Sequence, residues 1–198
     1  MAHDLRGPLV TISQASEMAR AKQELSDKML ELISDNAKRS LQMIEFREGT
    51  REVRVSRSMV DLSSLARGAV EEKPRPGNVT LDLHLGEGLN DVSIDPLLIR
   101  RVLDNLIRNG VEAMPDGGVL TVSARRDEGN AVIEVGDTGI GVSEEDKRHL
   151  FEPLFTRKKG GLGLGLYFVR MAVDAHGGVV DVNSKVGEGT TFKLLLPV

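Results

Sequence analysis

Apolar residues recur every three or four positions through the first quarter of the chain. Leu5, Leu9, Ile12, Ala15 and Ala19 form one series, and Leu25, Met29, Leu32, Ile33, Met43 and Ile44 another. This period predicts two amphipathic helices between residues 3 and 48, with a break near residues 21–26. Two such helices cannot bury their stripes alone. The pattern therefore asks for a second copy of the hairpin, which gives an antiparallel four-helix bundle in a homodimer, or for the rest of the same chain. After Gly49 the period changes: EVRV reads as a strand, Asp61 to Glu72 as a helix capped by its aspartate, and KPRPGN as a loop. We place a boundary here, between a helical region at residues 1–50 and a second domain at residues 51–198.

Beyond the loop, VTLDLHL alternates as a strand, and Asp95 with Pro96 opens a helix as cap and first residue. GVLTVSAR and NAVIEVGD alternate again and read as a hairpin. A helix follows through His176, and VVDVNS and TTFKLLLPV close the chain as strands on either side of KVGEG. The expected class is α+β, a helical hairpin followed by a mixed α/β layer.

Composition narrows what such a chain can do. Of its 198 residues, 40% are hydrophobic, 28% charged and 3% aromatic, and the formal net charge is −4. No apolar run approaches the roughly 20 residues that span a bilayer, and the acidity argues against a dominant nucleic-acid or anionic-membrane footprint. With no cysteine there is no disulfide and no thiolate metal site, and no signal peptide is visible. The expected location is the cytoplasm, either as a free protein or as the cytoplasmic part of a longer sensor.

Glycine carries the candidate chemistry. DTGIG follows a strand at residues 137–141, and GGLGLGL at residues 160–166 runs into a helix. Glycines let backbone amides close on an anion, and a helix amino terminus favours phosphate. Taken singly, the first also reads as a strand-end turn and the second as a linker. Neither is followed by the Gly-Lys-Ser/Thr of a P-loop, and DTGIG lacks the strand-turn-helix order of a dinucleotide fold.

In order along the chain, DNLIRNGVEA, DTGIG, FEPLFTRKK and GGLGLGL resemble the N, G1, F and G2 boxes of the sensor histidine kinase ATP-binding domain, and HDLRGPL resembles the H box upstream. The resemblance covers nearly the whole chain. It implies a dimerisation and phosphoacceptor hairpin followed by a Bergerat-type two-layer α/β sandwich, with ATP and Mg²⁺ as cofactors and a response-regulator receiver domain as partner. His3 is then the residue that accepts the γ-phosphoryl group and Asp4 its general base. Pro8 should kink the helix one turn later.

The same resemblance turns Asn105 and Asn109, one helical turn apart, towards the nucleotide, with Asn109 holding Mg²⁺. A glutamate stands at the position of Asn105 in hydrolytic relatives, and an amide cannot serve as that base. Asp137 would accept the adenine amino group, with Gly139 and Gly141 admitting the base. The lid would run from about Val142 to Lys159, anchored by Phe151 and Phe155, with Thr156 beside them and Arg157, Lys158 and Lys159 meeting phosphate charge. Gly161, Leu162, Gly163, Leu164 and Gly165 match the G2 box, with Leu162 in place of the usual threonine or serine. Glu112 replaces a common lysine or arginine.

The activity implied is autophosphorylation on His3 and transfer to a regulator aspartate. The alternatives are a dimeric phosphotransfer scaffold with a weak or inactive ATP-binding domain, and a hydrolytic ATPase. Gly7 stands where bifunctional members carry threonine or asparagine, which implies weak phosphatase activity. The first helix begins abruptly at His3, where the family continues upstream, which points to a truncated catalytic fragment.

Overall fold

Where the chain supplies a side-chain acceptor before an apolar stripe, a helix begins. The structure, a computed structural model, describes residues 9–14, 33–34, 36–37, 40, 53–72, 77–158 and 161–198. Asp61 accepts from the amides of Ser63 (2.9 Å) and Ser64 (3.2 Å) and opens α1 (Leu62–Glu71). The Ser64 hydroxyl, 2.6 Å from the same carboxylate, holds it below the usual carboxylate range. Asp95 caps α2 (Pro96–Glu112) through the amides of Leu97 and Leu98, with Pro96 at the first position where no amide is needed. Ser143 caps the short α3 (Glu144–Lys147), and α4 (Gly165–Ala175) starts on a glycine and ends one residue before His176.

Among the described residues seven strands accompany them: β1 (Ser58–Val60), β2 (Val79–Leu85), β3 (Val92–Ile94), β4 (Gly118–Asp127), β5 (Asn130–Asp137), β6 (Val179–Lys185) and β7 (Gly189–Pro197). β1 and β3 form a two-stranded antiparallel pair, while the main sheet has the order β2-β4-β5-β7-β6. Only its β2–β4 contact is parallel, so the sheet is mixed. One face carries Leu120, Val122, Ala124, Ala131, Ile133, Val135, Leu194 and Leu196, hidden from nearly all solvent, and α1, α2 and α4 cover it. On β5 and β7 the opposite phase carries Glu134 and Lys193, which pair with each other, Glu134 pairing with Arg125 as well. This is a two-layer α/β arrangement: one buried sheet face with helices, one polar face.

The strand expected at EVRV is not formed. Residues 53–57 have no regular structure, and the three-residue β1 comes just after them. Their polar groups have other partners. The Ser56 amide donates to Asp95 (2.9 Å), and the Arg57 guanidinium donates to the carbonyls of Ser93 (2.7 Å), Pro197 (3.0 Å) and His176 (2.6 Å). The buried His176 ring accepts from the Asp95 amide at Nε2 (3.0 Å), which leaves Nδ1 to donate to the Ala172 carbonyl (2.7 Å).

Residues 53–152 and 165–198 make one compact unit; residues 1–52 and 153–164 belong to a second. In that second unit residues 9–14, 33–34, 36–37 and 40 are helical. The packing expected of the hairpin, its bundle and its kink at Pro8 lie outside the described residues. Among the described residues no helix is long and apolar enough to cross a membrane.

Candidate functional site

The phase of β5 places a charge where the sheet otherwise buries carbon. Ala124, Ile133, Leu194 and Val180 stand opposite one another across four strands, and so do Val122, Val135, Phe192 and Val182. Two residues further along, the same alternation brings Leu120, Asp137, Thr190 and Ser184 into one row on the helix-covered face. Asp137, half-buried, therefore lies on the side of the sheet that α2 covers. Gly110 admits it: a Cβ there would meet Leu120 Cδ1 at 2.8 Å and Asp137 Cβ at 3.4 Å. Asp137 Oδ1 accepts from the Gly139 amide at 2.9 Å, an Asx turn that starts the loop after β5.

On α2, Asn105 is buried and both ends of its amide are held. Nδ2 donates to the Arg101 carbonyl (2.9 Å) and Oδ1 accepts from Arg108 Nη2 (2.6 Å). Asn109, half-buried, follows one turn later on the same side of the helix. The first turn of α4 comes against this part of α2, because a Cβ on Gly165 would stand 2.9 Å from Asn105 Oδ1. The Arg101 guanidinium over the Phe168 ring, 4.1 Å from its centroid, clasps the two helices together.

Residues 138–142 are tied on two sides. The Thr138 amide donates to the Val119 carbonyl, and the Ile140 amide donates to the Ala113 carbonyl at the end of α2 (3.0 Å). On the other side Gly187 donates to the Ile140 carbonyl (2.9 Å), and the Val142 amide donates to the Ser184 hydroxyl (2.8 Å). Gly141 has φ +67° and lies against β6; a Cβ there would be 2.1 Å from the Lys185 carbonyl oxygen. Beyond the loop, Phe151 packs edge-on against Phe192, with centroids 6.3 Å apart.

Residues 153–158 and 161–164 form a turn of their own. The Leu154 amide donates to the Gly163 carbonyl (3.1 Å), Gly161 to the Lys158 carbonyl (3.2 Å), and Lys158 to the Thr156 hydroxyl (3.1 Å). The Arg157 guanidinium lies 5.8 Å from the Phe155 ring centroid. Gly163, at φ +65°, folds so closely on Leu154 and Phe155 that a Cβ would meet the Phe155 carbonyl oxygen at 2.3 Å.

Of the positions singled out from sequence, Asn105, Asn109, Asp137, Gly139, Gly141 and Gly165 thus share the compact unit, whereas Phe155, Thr156, Lys158, Gly161, Leu162, Gly163 and Leu164 belong to the second. His3, Asp4, Gly7, Pro8 and Lys159 lie outside the described residues. Gly110, Arg108 and Ser184 escaped the sequence reading; the phase of the strands is the signal that finds Ser184. Among the described residues no three carboxylates or imidazoles gather as a metal cage. A Mg²⁺ ion suits such a donor set only when an amide oxygen such as that of Asn109 shares it with phosphates, which is how this ion is often held.

Residues 94–198 match the family described as histidine kinase-, DNA gyrase B- and HSP90-like ATPases. Over its whole length the chain is 30% identical to the alginate biosynthesis sensor protein KinB of Pseudomonas aeruginosa and 31% identical to the sensor histidine kinase ZraS of Escherichia coli. It spans 36% and 44% of those two proteins. Among solved structures it resembles histidine kinase ThkA in complex with response regulator protein TrrA, with TM-score 0.79 and 25% identity over 99% of this chain and 59% of that one. It shares the fold of full-length ShkA, solved with AMPPNP, with TM-score 0.76 and 21% identity over 96% of this chain and 46% of that one. An asparagine-bearing helix, an aspartate on the helix-covered face and a glycine-led helix, in the order of the kinase boxes, agree with these likenesses, and the chain belongs to the histidine kinase-, DNA gyrase B- and HSP90-like ATPase family, with the ATP-binding domain of a sensor histidine kinase.

Proposed function

We propose that the chain is a two-component sensor histidine kinase core that phosphorylates itself on His3 with ATP and passes the group to an aspartate of a response-regulator receiver domain. Residues 1–50 act as the dimerising phosphoacceptor hairpin and residues 51–198 as the ATP-binding domain. The observation that carries this reading is the convergence on one sheet end of Asp137, the Asn105–Asn109 side of α2 and the first turn of α4.

Asp137 presents a carboxylate acceptor to the adenine amino group, and Gly139 and Gly141 keep side chains away from the base. The first turn of α4 supplies amide donors for phosphate, helped by Gly161 and Gly163, while Thr156 and Lys158 serve the lid. Asn109 offers the amide oxygen that suits a hard cation, and the Mg²⁺ held there supplies charge neutralisation of the triphosphate. A ring nitrogen of His3 attacks the γ-phosphorus in line, the bond to the β-γ bridging oxygen breaks, and ADP leaves as Asp4 takes the proton of the other ring nitrogen.

Asn105 favours transfer over hydrolysis. Its amide is occupied by Arg101 and Arg108 and has no basic group with which to activate water. The test is incubation with γ-labelled ATP. The wild-type chain acquires acid-labile label, and His3→Gln acquires none while still binding ATP; label retained in that variant refutes the assignment.

A further inference from the structure

The row that ends the buried sheet face contains a second feature, two strands from Asp137. Ser184 lies opposite Thr190, and Thr190 opposite Asp137, so all three share one face. Ser184 and Thr190 are buried, at 6% and 5% exposure. The Ser184 hydroxyl donates to the Gly189 carbonyl (2.8 Å), meets the Thr190 hydroxyl (2.9 Å) and accepts from the Val142 amide (2.8 Å). A hydroxyl has one proton and two lone pairs. With its proton on Gly189, it takes both Val142 and Thr190 as donors and is saturated. The backbone carbonyl of the same residue accepts from Lys147 Nζ (3.1 Å), and Lys147 pairs with Glu144.

Ser184 thus holds the chain leaving DTGIG at two points, by its side chain at Val142 and by its carbonyl through α3. We propose that Ser184 is a positioning residue for nucleotide: its hydroxyl sets the height of residues 139–142 over Asp137 and so governs how long ATP stays bound. The inference rests on the nucleotide reading above. It extends it to a residue that touches no nucleotide and acts through the Val142 amide.

The experiment compares Ser184→Ala, Thr190→Val and the wild-type chain, using release of a fluorescent ATP analogue, hydrogen exchange at the Val142 amide, and thermal unfolding. Loss of the acceptor leaves the part-buried Val142 amide unpaired, so Ser184→Ala should release the analogue about tenfold faster, with Val142 exchange accelerated to match. Thr190→Val keeps the Val142 and Gly189 bonds of Ser184, and should release the analogue within about twofold of wild type, a change too small to signal a lost buried bond. If release accelerates equally in both variants, or follows unfolding temperature alone, the hydroxyls act only in packing and the inference is overturned. It is likewise overturned if Ser184→Ala leaves release unchanged. A wild-type chain that binds no analogue refutes the nucleotide reading itself, which separates the two failures.

Discussion

Two stretches of the chain are rich in glycine, and the same residue type does different work in each. In residues 137–141 the glycines let the loop press against other parts of the fold: Gly139 under the Ala113 carbonyl, Gly141 against that of Lys185. In residues 160–166 Gly163 presses on Leu154 and Phe155, members of its own turn. The first loop is fixed by the end of α2 and the β6–β7 turn; in the second, Gly163 is set by residues of its own turn and Gly165 by Asn105 of α2. A pocket that must recognise a rigid base gains from the former, because ordering entropy is spent during folding rather than at binding. In the proposed reading, a segment that closes over phosphates gains from the latter, because its internal shape is held by its own hydrogen bonds.

The comparison breaks first at Gly141. Alanine there combines φ +67° with a clash on the Lys185 carbonyl, so Gly141→Ala should destabilise the compact unit by about 2–3 kcal/mol and abolish ATP binding. Urea unfolding together with calorimetry reads both. Next comes Asp137→Asn, which can turn a donor towards the adenine amino group; ATP affinity should fall at least about tenfold. Its unfolding midpoint should stay near wild type, because the Asx turn to Gly139 survives on the amide oxygen.

Next is Gly163→Ala, which carries the same kind of clash, on the Phe155 carbonyl, into the turn of residues 153–158 and 161–164. Labelling by γ-labelled ATP should slow several-fold, while the unfolding free energy of the sheet unit from urea titration changes by less than about 0.5 kcal/mol. The smallest effect belongs to Asp61, away from both stretches. Its carboxyl is held below the usual range by the Ser64 hydroxyl, so its stabilisation is present above the ordinary carboxylate pKa and is lost as pH falls through the lowered value. Asp61→Asn should flatten that acid limb slightly in pH-dependent melting and leave ATP affinity unchanged.

Local signals made much of the fold legible. Asp61, Asp95 and Pro96 announced their helices, and five alternating strands fell within a few residues of their places. EVRV misled because its alternation is genuine but no strand lies beside it, and Ser56 and Arg57 answer instead to residues far along the chain. β3 was missed because three residues carry too little period. For the site, motif order found Asp137 and the glycines, while Ser184, Arg108 and Gly110 acquire meaning only through register and helix packing. One clue was present all along: Ala131, Ile133, Val135 and Asp137 share a phase, and a charge in a buried phase marks a site.

Arg57 determines where the molecule can be cut. A fragment starting at the first strand would keep every strand and every candidate nucleotide contact of the compact unit. It would nevertheless strip donors from the carbonyls of Ser93, His176 and Pro197 and from the carboxylate of Asp95. A fragment starting at residue 94, where the family match begins, would lack α1 and β2 as well, and with them Leu62, Ala66, Ala69 and Val70 of the core. A piece that keeps these donors therefore opens no later than residue 56, two residues ahead of its first strand, and residue 53, where the compact unit begins, is the start to express.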